Sequence, residues 1–162
     1  MKNISKLIIS ILICEGVGIV GSVFTIRSVN NWYAHLNKPF FSPPNWLFGP
    51  VWIILYLLMG IAVYMIWSFE NPQHKGLNQE YVGFALILFW IHLFFNAIWS
   101  VLFFGLHNIF LAFIDIIIIW SLIIFLIWNF AKIKKSAAWL LTPYLLWVSF
   151  ATVLNFSLLL LN

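Results

Sequence analysis

Charged residues are scarce in this chain of 162 residues, where eight lysines and arginines and four acids make up 7% of the sequence. So little charge cannot cover a water-soluble globule of this size, which excludes an ordinary soluble domain. The single cysteine, Cys14, cannot form an internal disulfide and does not indicate a redox compartment. Because the cations stand at the ends of apolar runs and form no patch, the net charge of +4 does not predict nucleic-acid binding.

Apolar residues, by contrast, make up 64% of the chain, and aromatic residues 20%. A helix needs about 20 apolar residues to cross a lipid bilayer, so the length allows about five spans with short connections. The sequence therefore predicts an all-α membrane protein, a single domain over residues 1–162 in the lipid bilayer. The predicted transmembrane helices cover residues 4–27, 45–69, 82–104, 109–131 and 137–161.

Two predictions concern the connections between these helices. The polar segment 70–80 is predicted to be a water-facing loop, because it holds Asn71, Pro72, His74 and Lys75 among few apolar residues. Pro143, near the start of the fifth helix, either kinks that helix or begins it with Thr142 as the cap.

The positions of lysine and arginine predict the orientation. Arg27 and Lys38 lie on one side of the predicted bundle, and the other basic residues lie on the side of the amino terminus. Cytoplasmic segments carry an excess of cations, so the amino terminus is predicted to be cytoplasmic in a multi-pass protein of the cell membrane. The residues on the amino-terminal side are Lys2, Lys6, Lys75, Lys132, Lys134 and Lys135.

Several motifs of other protein classes have simpler explanations here. Gly16, Gly18 and Gly21 have the spacing of a dinucleotide-binding loop, but no strand precedes them, and close helix packing explains them better. The first apolar run resembles a signal peptide, but it is too long and no cleavage site follows it. The four histidines lack ligand spacing with one another, so no metal site is predicted.

The segment from Trp32 to Tyr56 is unlike the rest of the chain. Pro39, Pro43 and Pro44 each remove a backbone donor, so a helix cannot continue through them, yet the residues around them are too apolar for a solvated linker. We predict a rigid apolar loop that leads directly into the second helix.

Three predicted helices each carry an aromatic face, and two of these faces also carry polar residues. Groups such as His92, Asn96 and Asn155 should not face lipid, so these faces point into the bundle. They either surround a cavity for a planar ligand or pack against one another, and the residues alone leave both possibilities open. The faces are Phe48, Trp52 and Tyr56; His92, Asn96, Trp99 and Phe103; and Tyr144, Trp147, Ala151 and Asn155.

Two acids, Glu15 and Asp115, fall inside predicted spans. A charged carboxylate is costly at that depth, so each should be protonated, paired or close to water. A structural hydrogen bond is the favoured role, because two acids on different helices form a poor proton relay.

The sequence resembles the TspO/MBR family of translocator and tryptophan-rich sensory proteins, in the form of its bacterial members. The order WYxxLxKPxxxPPxWxFGPVWxxLYxxMGxAxYxxW covers residues 32–67, and NAIWS at residues 96–100 and PYLLWVSFATVLN at residues 143–155 follow in the same order. The resemblance implies a bundle of five helices, commonly a homodimer, with a pocket beneath the first loop.

The resemblance also implies a function. It suggests an integral membrane receptor or carrier that binds porphyrins, such as protoporphyrin IX, other heme-type tetrapyrroles and planar hydrophobic molecules, with no obligatory cofactor. The alternative is an enzyme that degrades porphyrin in light and oxygen through Trp52 and Trp147. The implied pocket residues are Ser22, Tyr33, Phe48, Trp52, Asn96, Trp99, Trp147 and Ala151. The carboxyl end lacks the tyrosine and the basic residue of the cholesterol-recognition pattern, so sterol binding there is not predicted.

Overall fold

The computed structural model describes the backbone of residues 2–69 and 75–162, and the side chains of residues 4–69 and 79–162. Its helices are α1 (Lys2–Val29), α2 (Trp32–His35), α3 (Asn45–Trp67), α4 (Lys75–Ser100), a π-helical turn (Val101–Gly105), α5 (Ile109–Ile133), α6 (Lys135–Leu140) and α7 (Thr142–Leu161). Five stretches are long and apolar enough to cross a membrane, so the predicted five-helix membrane bundle is confirmed. These spans are Ile4–Val29, Asn45–Trp67, Gln79–Gly105, Ile109–Ile133 and Lys135–Leu161.

The start of the third span differs from the prediction. Residues 75–80 were predicted to belong to a loop, but α4 already begins at Lys75. Polarity alone does not end a helix, and Leu77, Gln79 and Glu80 are good helix formers that follow the last proline of the segment. Residues 70–74, the remainder of the predicted loop, lie outside the described residues.

The prolines set two helix starts. Pro44 has an extended backbone, with φ −64° and ψ 143°, and α3 begins at the next residue. In the fifth span, the helix is interrupted at Leu141 and restarts as α7, with Pro143 in its first turn. Pro143 therefore lies in the first turn of α7, and Leu141, not Thr142, occupies the cap position.

The five spans enclose a central space. The α1 helix packs against α3 and α4, α4 packs against α5, α5 packs against α7, and α3 closes the ring through α6. At the α1–α3 contact, a Cβ atom on Gly60 would lie 2.8 Å from the Ile11 Cα atom, so only glycine allows this approach. Phe103 and Phe104 of the π-helical turn are buried beside Tyr33, which places the first loop over one end of the space.

We predict that Gly60→Ala lowers the free energy of unfolding by about 1–3 kcal/mol, because the added methyl group meets the backbone of α1 and overpacks the interface. Thermal unfolding in detergent, followed by circular dichroism, measures the change. Gly83→Ala is the matched control, since a Cβ atom added there would meet nothing within 4 Å. Equal melting temperatures for the two variants contradict the close α1–α3 contact.

Candidate functional site

A cavity of about 490 Å³ lies at the loop end of the bundle, with walls from α1, α3, α4, α5 and α7. This volume is within the range of small-molecule sites, about 300–1,000 Å³. All eight residues implied by the resemblance line it: Ser22, Tyr33, Phe48, Trp52, Asn96, Trp99, Trp147 and Ala151. The structure thus brings the predicted residues together, while what they bind stays a prediction.

Three partly buried indoles stand on different walls of this cavity. Trp52 contacts Tyr56 and Tyr144, with ring centroids 5.4 and 6.2 Å away. Trp99 stacks on Phe103 at 5.0 Å, and Trp147 meets Phe48 at 6.1 Å. Among the described residues, each indole therefore rests against other rings and not against another of the three indoles. Their arrangement leaves room between the walls, which favours the cavity over interlocked faces.

The end of the cavity away from the loop is closed by a buried hydrogen-bond network of Tyr56, Asn96, Tyr144 and His92, here called the floor network. The Tyr56 hydroxyl donates to Asn96 Oδ1. Asn96 Nδ2 donates to the Tyr144 oxygen at 2.7 Å, which leaves the Tyr144 hydroxyl to donate to His92 Nε2 at 2.8 Å. The network joins α3, α4 and α7. Both the side-chain oxygen and the side-chain nitrogen of Asn96 are hydrogen-bonded to other residues of the protein.

Other polar groups near the cavity have no such partners. Trp99 Nε1 and both polar atoms of the Asn155 side chain are buried without a hydrogen bond among the described residues, and both residues line the cavity. Asp115 Oδ2, on α5, is also buried without a partner in the same part of the chain, so the predicted structural hydrogen bond is not found for this atom. Glu15 is partly exposed and lines the cavity.

The first loop covers the cavity and is fixed at several points. Tyr33 is 2% exposed, its hydroxyl lies 3.4 Å from Ser42 Oγ, and Lys38 Nζ lies 4.6 Å from the centre of its ring. Asn37 bonds the carboxyl end of α7, through Asn162 Oδ1 at 2.9 Å and the Leu161 carbonyl at 3.1 Å. The loop, here called the lid, is therefore held both to itself and to the fifth span.

The basic residues near the loop are not part of the cavity lining, although Lys38 contacts the ring of Tyr33, which lines it. No lysine or arginine is among the described lining residues, and Glu15 is the charge-capable group there. Arg27 lines a separate groove with Trp32 and His107, whose rings stack at 4.5 Å. A ligand deep in the cavity thus meets aromatic and neutral polar groups.

Sequence reasoning missed part of the lining. Ile116 and Ile119 of α5 form a wall, and the signal that could have found them is Asp115, a buried polar residue four positions before Ile119 on the same helix face. Gly18, Ser22 and Thr25 of α1 also line the cavity. Their spacing of four and three residues places them on one face of that helix.

We predict that Tyr144→Phe lowers the free energy of unfolding by about 1–3 kcal/mol, because it leaves buried nitrogen atoms of Asn96 and His92 without a partner. Chemical or thermal unfolding in detergent measures the loss. Tyr64→Phe, at a half-buried tyrosine of α3 outside the network, is the control and should change stability little. A Tyr144→Phe protein as stable as this control is inconsistent with the network.

Burial raises the pKa of the Tyr33 phenol above its ordinary value of 10.0, and the Ser42 hydroxyl acts weakly in the opposite direction. The folded state therefore keeps this proton longer than the unfolded chain. The contribution of the protonated Tyr33 phenol to the free energy of unfolding is fully present below about pH 10, and it is lost as the pH rises through the pKa of the folded state. We predict that Tyr33→Phe loses less stability than the wild type between about pH 9 and 11, measured by unfolding at each pH. Parallel curves for the two proteins contradict this prediction.

Comparison with known proteins agrees with this arrangement. Residues 10–161 match the profile of the TspO/MBR family. The chain is 44% identical over 160 residues to Tryptophan-rich protein TspO of Archaeoglobus fulgidus, and the match covers 99% of each chain. It is 40% identical over 161 residues to the protein of the same name from Chlorobaculum tepidum, and that match covers 99% of this chain and 98% of the other. It is 34% identical over 141 residues to Translocator protein of Bos taurus, covering 87% of this chain and 80% of the other. This chain belongs to the TspO/MBR family of multi-pass membrane proteins.

Proposed function

We propose that this protein is a membrane receptor or carrier that binds porphyrins, tetrapyrroles such as protoporphyrin IX, and other planar hydrophobic molecules in the cavity beneath the first loop. The observation that carries the proposal is the set of three indoles on separate walls of one cavity, with space between them. The relatives named translocator protein and tryptophan-rich sensory protein support a receptor or carrier role.

The cavity chemistry suits a flat aromatic guest. Indole faces stack on planar π systems, and offset or edge contacts between rings stabilise such pairs by about 0.5–1.5 kcal/mol beyond the area that they bury. Trp52, Trp99 and Trp147 supply three such faces. The few polar groups among them orient a ligand without charging the site.

The lid provides a route of entry at the membrane surface. Tyr33 and Phe48 meet edge to face at 6.3 Å where the loop adjoins α3. Moving this loop requires breaking the bonds of Asn37 to α7. A bulky ligand therefore enters when the loop releases α7 and is held when the bonds re-form.

Two further parts of the proposal concern the protein in its membrane. The distribution of lysines and arginines supports a cell-membrane orientation with a cytoplasmic amino terminus and the lid outside. The family resemblance supports a homodimer, whose interface would come from the apolar side chains exposed on the bundle surface.

We predict that the wild type binds protoporphyrin IX with quenching of tryptophan fluorescence. The variant Trp52→Ala with Trp147→Ala should bind at least about tenfold more weakly, since two stacking faces are removed. Titration in detergent or lipid nanodiscs gives the affinity, and circular dichroism confirms that the variant is folded.

The control variant, Trp128→Ala with Trp139→Ala, removes two indoles that are 54% and 72% exposed and that do not line the cavity. Its affinity should equal that of the wild type. If both double variants lose affinity equally, or neither does, the porphyrin does not bind between the cavity tryptophans.

The photochemical alternative can be tested with the same proteins. Trp52 and Trp147 line the cavity, so a bound porphyrin would lie beside both indoles. Protein-bound porphyrin is illuminated with and without oxygen, and its absorption is followed. Bleaching that needs oxygen and is faster in the wild type than in Trp52→Ala with Trp147→Ala, at equal bound porphyrin, supports degradation. Equal rates exclude a role for these indoles.

A further inference from the structure

The groove lined by Arg27, Trp32 and His107 is a second space on the bundle, about 460 Å³ in volume, and it shares only Phe104 with the described lining of the cavity. The first and third spans, Ile4–Val29 and Gln79–Gly105, both end at this groove. A transmembrane helix leaves the hydrocarbon core of the bilayer where its apolar stretch ends. The groove therefore lies at the depth where the acyl chains of a lipid meet its head group.

The lining of the groove changes from apolar to polar along the spans. On α1, Phe24 lies one helical turn before Arg27, and on the π-helical turn Val101 precedes His107. Both segments run toward the loop end of the bundle, so Phe24 and Val101 are the deeper residues and Arg27 and His107 the shallower ones. The groove thus has the polarity gradient of one phospholipid molecule, with the polar end at the surface.

His107 forms a fixed part of the rim. Its backbone has φ 54°, in the left-handed region that residues other than glycine seldom adopt. Its ring stacks on Trp32 of the first loop at 4.5 Å, and its Nε2 atom lies 2.9 Å from Ser28 Oγ of α1. These contacts hold the uncommon conformation, and backbone of this kind is concentrated at functional sites. The rim is therefore formed before any ligand arrives.

Arg27 supplies the charge of the groove. It is exposed, and no acid is among the described lining residues. Asn31 Nδ2 donates to the Arg27 carbonyl at 3.0 Å, so the end of α1 is capped by a bond that does not involve the guanidinium. A guanidinium presents a planar set of donors that matches the oxygens of a phosphate. The groove therefore offers a phosphate binder above an apolar channel.

We propose that this groove binds one anionic phospholipid, with Arg27 on the head-group phosphate and the upper acyl chain beside Phe24 and Val101. An anionic lipid is preferred because a zwitterionic head group carries a cation of its own next to the phosphate, which Arg27 repels. Since Trp32 belongs to the first loop, the bound lipid also touches the lid. The site lies on the outside of the bundle and does not depend on what the cavity binds.

The test compares phosphatidylglycerol with phosphatidylcholine of the same acyl chains, added to the full-length protein in detergent. Native mass spectrometry gives the affinity of the first bound lipid. The wild type should bind phosphatidylglycerol about fivefold more tightly, as expected for one basic residue near a charged head group. Arg27→Gln should lower that preference to about twofold or less and leave the affinity for phosphatidylcholine unchanged, while circular dichroism confirms that the variant is folded.

Lys38→Gln is the matched control. Lys38 is a cation at the same end of the bundle, but its Nζ atom lies over the Tyr33 ring and it is not among the described residues of the groove. This variant should keep the full preference for phosphatidylglycerol. Equal losses in Lys38→Gln and Arg27→Gln indicate diffuse attraction by surface charge and overturn the proposal. A wild type without preference, or an Arg27→Gln protein that keeps it, does the same.

His107→Asn tests the location of the lipid. Asparagine also adopts the left-handed conformation, so the variant keeps the backbone and removes the ring that forms the rim. It should weaken the binding of both lipids about twofold or more. Unchanged affinity for both lipids places them outside the groove and contradicts the proposal.

Two other occupants give different results. Phosphatidylglycerol should raise the melting temperature of the wild type more than phosphatidylcholine does, and glycerol 3-phosphate at equal concentration should leave it unchanged. An equal rise with glycerol 3-phosphate means that the groove takes a soluble phosphate ester and not a lipid. If Arg27→Gln changes the fraction of dimer in the mass spectra and not the lipid affinities, a second copy of the chain covers the groove. Either result overturns the lipid site.

Discussion

The structure depends on the requirement that polar side chains inside a bilayer find their partners within the protein. The floor network meets this requirement for most polar atoms of four side chains from three helices, although His92 Nδ1 has no partner among the described residues. Tyr56 on α3, Asn96 and His92 on α4, and Tyr144 on α7 bond one another, and all four are nearly fully buried. Because each of these groups needs the others, the three helices have a fixed spacing at this level.

That spacing keeps a cavity open on the loop side of the network. Small residues of α1 help to set it: a Cβ atom on Gly18 would lie 2.6 Å from the Tyr56 ring, so the glycine lets that ring reach its place in the network. Toward the loop, Phe48, Trp52 and Trp147 stand on the walls against neighbouring rings. The same helices that are tied together by the network thus carry aromatic residues on the cavity walls, and Tyr33 of the first loop lines the cavity between them.

The sequence predicted the five spans from the length of their apolar runs, and it predicted from helix periodicity that the faces through Trp52, Trp99 and Trp147 point into the bundle. Whether those faces surround a cavity or pack together was left open by the residues alone. The start of α4 at Lys75 was not predicted, because a helix that leaves the apolar part of a span keeps its hydrogen bonds while its side chains become polar. Hydrophobicity indicates which part of a helix lies in the membrane, but it does not indicate where the helix begins or ends.

Side-chain pairing was also beyond the sequence. The polar stripe on α4 indicated that Asn96 faces inward, but whether its amide bonds to the protein or awaits a ligand depends on Tyr144, which is 48 residues away in the chain. Asn155 lies on an equivalent stripe of α7 and has no partner among the described residues. The same residue type in the same pattern therefore stands in two different hydrogen-bonding environments, and only the positions of the facing helices distinguish them.

The most direct test of the central claim, that a planar guest occupies the space between the indoles, is an experimental structure of the protein with protoporphyrin IX. The account predicts density for a flat ring system beneath the first loop, in contact with Trp52, Trp99 and Trp147, with the floor network unchanged below it. Porphyrin density confined to the outer surface of the bundle, with the three indoles packed against one another and the cavity closed, would contradict it.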